Sequence, residues 1–118
     1  MSEQTFYDNQ GRPTAYTYNE HIYLFSGQPV AYFHGDSVYS FSGTHLGRYN
    51  NGWIRDNNGY CVFFDQTATG GPMKPMKSMK PMKSMKSMKP MKSMRQMKPM
   101  KPMNNSSWSQ LSSGGFFS

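Results

Sequence analysis

Few side chains in this sequence have the types and the spacing that do chemistry. His21, His34 and His45 occupy three different positions of an internal repeat, so symmetry does not bring them together. None has a Cys or a second His at the spacing of a metal-binding motif, which favours surface turns over a metal site. Cys61 lies in the apolar run Tyr-Cys-Val-Phe-Phe, where a thiol is typical of a small buried side chain rather than a nucleophile.

One pair of carboxylates deserves weighing as a general acid and base. Asp8 and Asp56 share one position of the repeat, in its first and last units, which a closed ring would make neighbours. Each lies in an Asp-Asn-x-Gly turn, however, where Asp commonly caps its own backbone. The sequence has no phosphate-binding glycine loop, nucleophile elbow or zinc signature. We therefore predict that the protein is not an enzyme, and we infer no cofactor, metal or small-molecule substrate.

A methionine recurs at every third position from Met73 to Met103, eleven times without a break. Thioethers at this spacing suit Cu(I). Ten of the eleven are followed by a cation, which would repel a metal ion, so we favour the methionines as hydrophobic side chains. The candidate interaction residues are Met73, Met76, Met79, Met82, Met85, Met88, Met91, Met94, Met97, Met100 and Met103, with Lys74, Lys77, Lys80, Lys83, Lys86, Lys89, Lys92, Arg95, Lys98 and Lys101.

The period of three, with Pro, Ser or Gln before each Met, predicts a polyproline II tail over residues 72–104. One edge of such a rod is all Met, one Lys or Arg, and one Pro or Ser. A solvated, disordered linker is the alternative. From Met73 to Met103 a straight rod spans roughly 93 Å, whereas a head of this size is roughly 28 Å across. A straight tail would therefore overrun its head, unless the rod bends back.

The elements that precede the tail form a second repeat, in residues 1–71. Gly11, Gly27, Gly43 and Gly59 recur every 16 residues. Short runs of β-branched and aromatic residues flank each glycine, which predicts strand, tight turn and strand. The glycines are assigned as structural turns because such turns need a positive φ. Four hairpins follow, and because one hairpin is marginal in water, they must pack together as an all-β, pseudo-four-fold module.

Five motifs occur in a characteristic order: IYLFSGQPVAYF, VYSFSGTHLGRYNNGWIRDNNGYCVFF, the ATGGP junction, the basic triplets and a final WSQLSSGGFF. In this order the chain resembles the four-fold beta-flower family, a bacterial group of uncharacterised function. The resemblance covers roughly residues 5–117. It implies a shallow barrel whose hairpins splay like petals about an axis, and it implies no activity.

The charge of the chain is divided unevenly. All six acidic residues lie in the head, and ten of the thirteen basic residues lie beyond residue 71. We predict a non-catalytic interaction or assembly module that forms a homo-oligomer through the Met edge of the tail. The alternative is attachment to an anionic membrane surface or to nucleic acid through the lysines.

Residues 105–118 form a Ser- and Gly-rich end whose aromatic side chains, Trp108, Phe116 and Phe117, are expected to anchor on this head or on another surface. The first residues show no basic segment followed by an apolar one, so we expect no signal peptide, and no apolar run is long enough to span a membrane as a helix. A single cysteine fits a reducing compartment. We therefore expect a cytoplasmic protein, although the sequence alone leaves the compartment open.

Overall fold

The computed structural model describes residues 3–118, and its centre is a closed barrel of eight antiparallel strands in chain order. The all-β fold predicted from the glycine repeat is confirmed. The strands are β1 (Thr5–Tyr7), β2 (Pro13–Tyr18), β3 (His21–Leu24), β4 (Pro29–His34), β5 (Ser37–Tyr39), β6 (His45–Asn50), β7 (Trp53–Asp56) and β8 (Cys61–Phe64), and a short helix α1 (Ser113–Phe117) follows near the end.

The alternation of side chains along each strand builds the barrel wall. The apolar residue five positions before each repeat glycine joins the interior core and is at most 1% exposed: Phe6, Ile22, Val38 and Ile54. The next residue along the chain, Tyr7, Tyr23, Tyr39 or Arg55, lies outside this core cluster. The outer wall is therefore also largely aromatic, and it needs a cover of its own.

Two sets of turns close the hairpins, at opposite ends of the barrel. The repeat glycines lie in the turns of the β1–β2, β3–β4, β5–β6 and β7–β8 hairpins, with φ between +79° and +95°. The turns at the other end include Asn19, Glu20 and Asn51, which are non-glycine residues with positive φ.

The C-terminal residues close the end of the barrel at which the repeat glycines lie. Phe116 of α1 is buried and meets Phe63 edge-on, with ring centroids 5.6 Å apart, while Phe117 stacks on Phe63 at 5.4 Å. Gly47 has no space for a side chain, since a Cβ there would overlap the carbonyl oxygen of Arg55 and come within 3.2 Å of the Phe116 ring. These aromatic side chains thus anchor on their own head.

The tail does not project from the barrel as a straight rod but curves around it. The radius of gyration is 13.3 Å and the dimensions are 36 × 35 × 26 Å, so a straight extension of the tail is wrong for this chain. Residues 72–104, all of them described, form no helix or strand, and polyproline II stays a prediction for them. Among residues 3–118, no helix is long and apolar enough to cross a membrane.

Candidate functional site

The tail, residues 72–104, forms a belt around the barrel, and backbone hydrogen bonds fix its path. The amides of Ser78, Ser87, Gln96 and Asn105 donate to the carbonyl oxygens of the four repeat glycines, at 2.8–3.0 Å. Nine residues of the belt therefore cover the same part of the circumference as one 16-residue unit of the barrel. At polyproline II rise, nine residues span about 28 Å, and four such arcs enclose a circle about 36 Å across. This agrees with the 36 × 35 Å dimensions of the molecule.

The choice between Pro and Ser in the triplets follows these hydrogen bonds. Each Ser or Gln that directly precedes a belt methionine donates its backbone amide to the barrel. Ser84 and Ser93 donate to the carbonyl oxygens of Phe25 and Phe41. The remaining positions are prolines, which have no amide to satisfy: Pro72, Pro75, Pro81, Pro90, Pro99 and Pro102. The Pro/Ser edge therefore faces the barrel, and its sequence sets the register of the belt.

The third repeat unit shows the same matching through a side chain. The residue two positions after the repeat glycine is proline in the first two units, but it is His45 in the third. Its amide donates to the side-chain oxygen of Gln96, at 2.9 Å, where the first two units have Ser in the belt. In the fourth unit the equivalent Cys61 amide donates to the carbonyl of Ser107. The belt and the residues just beyond it thus satisfy both amides that the barrel has at this position.

The repeat glycines also allow the belt to approach closely. A Cβ added at Gly27 would lie 2.9 Å from the carbonyl carbon of Met85 and would overlap its oxygen. The belt carbonyls of Met76, Met94 and Met103 crowd the other three glycines in the same way. These glycines, which the sequence analysis assigned to turns, therefore have a second role as the surface on which the belt lies.

Five belt cations lie over the aromatic outer wall. Lys86 lies 4.2 Å from the ring of Tyr18, and Lys92 lies 4.4 Å from that of Tyr32. The other three are Lys77 over Tyr7, Lys83 over Tyr16 and Arg95 over Tyr39. Lys83 also forms an ion pair with Glu3. Cation–π contacts at exposed sites contribute about 0.5–1 kcal/mol each, so the cations help to hold the belt in place.

Arginines replace the outer tyrosines at two positions of the barrel, and the belt changes with them. Arg55 occupies the position at which the other three units have tyrosine. At the belt position that places a cation over each of those tyrosines, the fourth arc has Asn104. The guanidinium donates instead to the carbonyl of Asn105, at 2.5 Å. Arg48 donates in the same way to the carbonyl of Pro99.

The two ends of the belt meet at Trp53, which is fully buried. Its indole N–H donates to the carbonyl of Thr69 at 3.0 Å, and Gly71 packs on its ring where the belt begins. Trp108, beyond the other end, meets the same ring with centroids 5.6 Å apart. The belt is therefore closed around the barrel at one tryptophan.

The methionines point away from the barrel. All eleven are between 90% and 95% exposed, and none belongs to a hydrophobic cluster of the described residues. We call these eleven side chains the rim. The candidate cations divide differently. In each of the first three arcs two of the three cations have a partner, which is a tyrosine ring or, for Lys74, the carbonyl of Ala68, and Lys101 in the fourth arc donates to the side chain of Asn104. The third cation of each of the first three arcs, Lys80, Lys89 or Lys98, has no ring, carboxylate or carbonyl partner among the described residues.

The other candidate residues of the sequence have local structural roles. One carboxylate oxygen of Asp8 accepts from the amides of its own turn, and Asp56 does the same and also accepts from Ser109 at 2.6 Å. Burial raises the pKa of the Cys61 thiol, which the nearby Arg55 only partly offsets. Among residues 3–118, no three His, Cys, Asp or Glu side chains come together as a metal site.

A cavity of about 440 Å³ opens at the end of the barrel opposite α1. Phe6, Phe33 and Tyr49 line it, together with Glu20 on its edge. The Tyr49 hydroxyl donates to the buried Asp65 carboxylate at 2.5 Å. Burial, assisted by this carboxylate, raises the pKa of Tyr49 to about 12, so the phenol stays protonated and is no base at neutral pH.

The register of the belt yields a first prediction. Ser87→Pro removes the amide that donates to Gly27 and leaves that carbonyl without its partner, so we expect the free energy of unfolding to fall by about 1–2 kcal/mol. Pro90→Ser is the matched control, because Pro90 faces no barrel acceptor, and it should change stability by less than about 0.5 kcal/mol. Urea unfolding measures both. Equal effects of the two substitutions would contradict the assignment of the register.

A second prediction concerns pH. Burial lowers the pKa of His45, the charges of Arg48 and Lys98 act in the same direction, and the hydrogen bond to Asn57 opposes them. The native state thus binds the proton less well than the unfolded chain. Stability from this group is complete above the unfolded pKa of about 6.5 and is lost as the pH falls toward the lower native value. His21 contributes with the same sign.

We therefore expect stability to decline between about pH 7 and pH 5, and to decline less in His45→Gln than in the wild type. His34→Gln, at an exposed position, is the control and should retain the wild-type slope. Urea midpoints at several pH values give the slopes. A His45→Gln slope equal to that of the wild type would show that this histidine does not drive the decline.

Sequence reasoning missed the relation between the two repeats, although a signal for it exists. Pro72, Pro81, Pro90 and Pro99 recur every nine residues within the three-residue pattern. The four nine-residue arcs equal in number the four 16-residue units of the barrel. This equality in number can be read from the sequence alone, and it indicates that one arc of the tail pairs with one unit of the barrel.

The comparisons with known proteins agree with this architecture. A family model described as 4-fold beta flower protein matches residues 4–117. The search of curated proteins gave no match, and neither did the search of solved structures.

Proposed function

Because the chain belongs to the 4-fold beta flower family, whose description gives a shape and no activity, we propose a function from the geometry of the rim. We propose a non-catalytic assembly module that associates with further copies of itself through the rim methionines. The observation that carries the proposal is the outward position of every methionine of the belt.

The belt does not need these side chains to stay on the barrel. Backbone hydrogen bonds, cation–π contacts and the Trp53 closure hold it, and the methionine side chains take part in none of them. A contiguous exposed apolar surface on a monomer is usually limited to a few hundred Å² and marks an interaction site when it is larger. Methionine suits such a surface because its flexible side chain adapts to a partner of irregular shape.

The curvature of the rim determines what kind of assembly to expect. Two convex rims touch along a short arc, so each contact involves few methionines and falls below the roughly 1,200 Å² of a stable complex. The rim has four similar arcs, however, and one molecule has room for several neighbours. Many weak contacts then act together. The expected product is an open, concentration-dependent assembly rather than a single closed dimer.

The lysines favour a second candidate, attachment to an anionic membrane surface or to nucleic acid. The observation that supports it is that three ammonium groups, those of Lys80, Lys89 and Lys98, have no partner among the described residues. They lie a quarter-turn apart around the belt. A flat or rod-shaped polyanion would reach only part of this set at once.

Sedimentation velocity of the full chain and two matched variants tests the proposal. Met79, Met88 and Met97→Ser removes one rim methionine from each of three arcs, and Lys80, Lys89 and Lys98→Gln changes the adjacent residues of the same triplets. We expect the methionine variant to weaken association at least tenfold, and the lysine variant to leave or strengthen it. Because all six side chains are exposed, both variants should keep the wild-type melting temperature.

Salt provides the second arm of this experiment. Apolar rim contacts should persist between about 0.05 and 0.5 M salt, whereas contacts between exposed charges are screened over this range. Association that disappears in high salt and in the lysine variant would transfer the function to the anionic partner. A wild-type chain that stays monomeric at all concentrations would contradict self-association.

A further inference from the structure

The rim places eleven thioethers where a small oxidant in solution reaches each of them. Every one is at least 90% exposed. Hydroperoxides convert methionine to its sulfoxide, and in most proteins this lesion disturbs the core or an interface where the side chain packs. Here the side chains pack against nothing in the described part of the chain. Oxidation of these methionines is therefore expected to disturb no packing within the described part of the chain.

We propose that the rim is a site of oxidation by hydroperoxides, which accepts one oxygen atom on each of its eleven methionines while the barrel and the belt stay folded. The sulfur lone pair attacks one oxygen of hydrogen peroxide, the O–O bond breaks and an S–O bond forms. The other oxygen leaves as hydroxide and takes the proton released from the transferred oxygen, which gives water. The sulfur loses two electrons and the peroxide gains them.

The cysteine does not compete for the oxidant. Cys61 is fully buried, and its raised pKa keeps it as the less reactive thiol. Its backbone lies between Ser107 and Ser109, with which it exchanges hydrogen bonds. Among the described residues, the sulfur atoms open to oxidation are thus those of the rim.

Oxidation reverses the polarity of the rim. A sulfoxide is polar and chiral, so the apolar line becomes a line of hydrogen-bond acceptors beside ten cations. Rim contacts between copies then lose their apolar burial while the charge repulsion remains. This step rests on the proposed function: oxidised chains should dissociate, and a sulfoxide reductase should restore association.

The test treats the full wild-type chain with hydrogen peroxide at a concentration where it is monomeric, and treats the same chain unfolded in guanidinium in parallel. We expect peptide mapping to place eleven added oxygen atoms within residues 73–103, one on each rim methionine, at rates within about twofold of those in the unfolded chain. The far-ultraviolet circular dichroism should stay that of the native barrel. Rim methionines that react tenfold more slowly when folded, or loss of the barrel spectrum on oxidation, would overturn the proposal.

Sedimentation of the oxidised chain at high concentration then separates the two proposals. Dissociation on oxidation supports both of them. Full oxidation of a folded chain that, before treatment, is monomeric at every concentration would uphold the oxidation site and refute self-association. Persistent assembly after complete oxidation would refute the switch.

Discussion

Trp53→Ala is expected to lower the free energy of unfolding by about 3–5 kcal/mol, the cost of removing a buried aromatic side chain. The indole is fully buried, packs on Phe64 and Trp108 and donates to Thr69, so the substitution removes the contacts through which this side chain joins the two ends of the belt. Urea unfolding gives the free-energy change. We expect the belt to come loose from the barrel as well.

Trypsin reports the release of the belt. The five belt cations that precede Ser or Gln rather than Pro are good trypsin sites, and these same five lie over tyrosine rings: Lys77, Lys83, Lys86, Lys92 and Arg95. Cleavage there should be slow in the wild type and much faster in Trp53→Ala. Trp108→Ala, at the half-buried partner, should have a smaller effect. Wild-type stability and cleavage rates in Trp53→Ala would contradict the closure at this residue.

Gly27→Ala should destabilise the protein by about 2–4 kcal/mol. A positive φ costs an L-residue roughly 1–2 kcal/mol. The added Cβ also displaces the belt at Met85, which weakens the hydrogen bonds to Phe25 and Gly27, at about 0.5–1.5 kcal/mol each. The effect therefore exceeds what the turn alone predicts.

Gly35→Ala separates these two contributions. Gly35 has a positive φ of 62°, but a Cβ there meets nothing within 4 Å. Its substitution should cost only the roughly 1–2 kcal/mol of backbone strain. Denaturant unfolding of both variants measures the difference. If Gly27→Ala were no worse than Gly35→Ala, the belt would not lie on the glycine turns.

The barrel was predictable from the sequence because its signals are local. Gly27 and its equivalents mark the turns, and the apolar residue five positions earlier, such as Ile22, marks the inner face of a strand. Both features repeat four times, and one hairpin cannot bury them alone. The fold therefore followed from spacing, whereas the family followed from the resemblance of the ordered motifs.

The position of the belt was not predictable by the same reasoning. Hydrophobic side chains are normally expected to face inward, which favours methionine as the buried edge. The barrel, however, presents carbonyl oxygens at Gly11 and its equivalents, and the amides that satisfy them belong to the Pro/Ser edge of the tail. Those carbonyls are visible in the folded barrel and not in the sequence.

Small-angle X-ray scattering of the full chain, at a concentration where it is monomeric, tests the belt most directly. We expect a radius of gyration near the 13.3 Å of the structure and a longest dimension close to its 36 Å width, with a hydration layer added. A tail free of the barrel would extend toward the roughly 93 Å of a straight polyproline II rod. A longest dimension near that value would contradict both the belt and the outward rim.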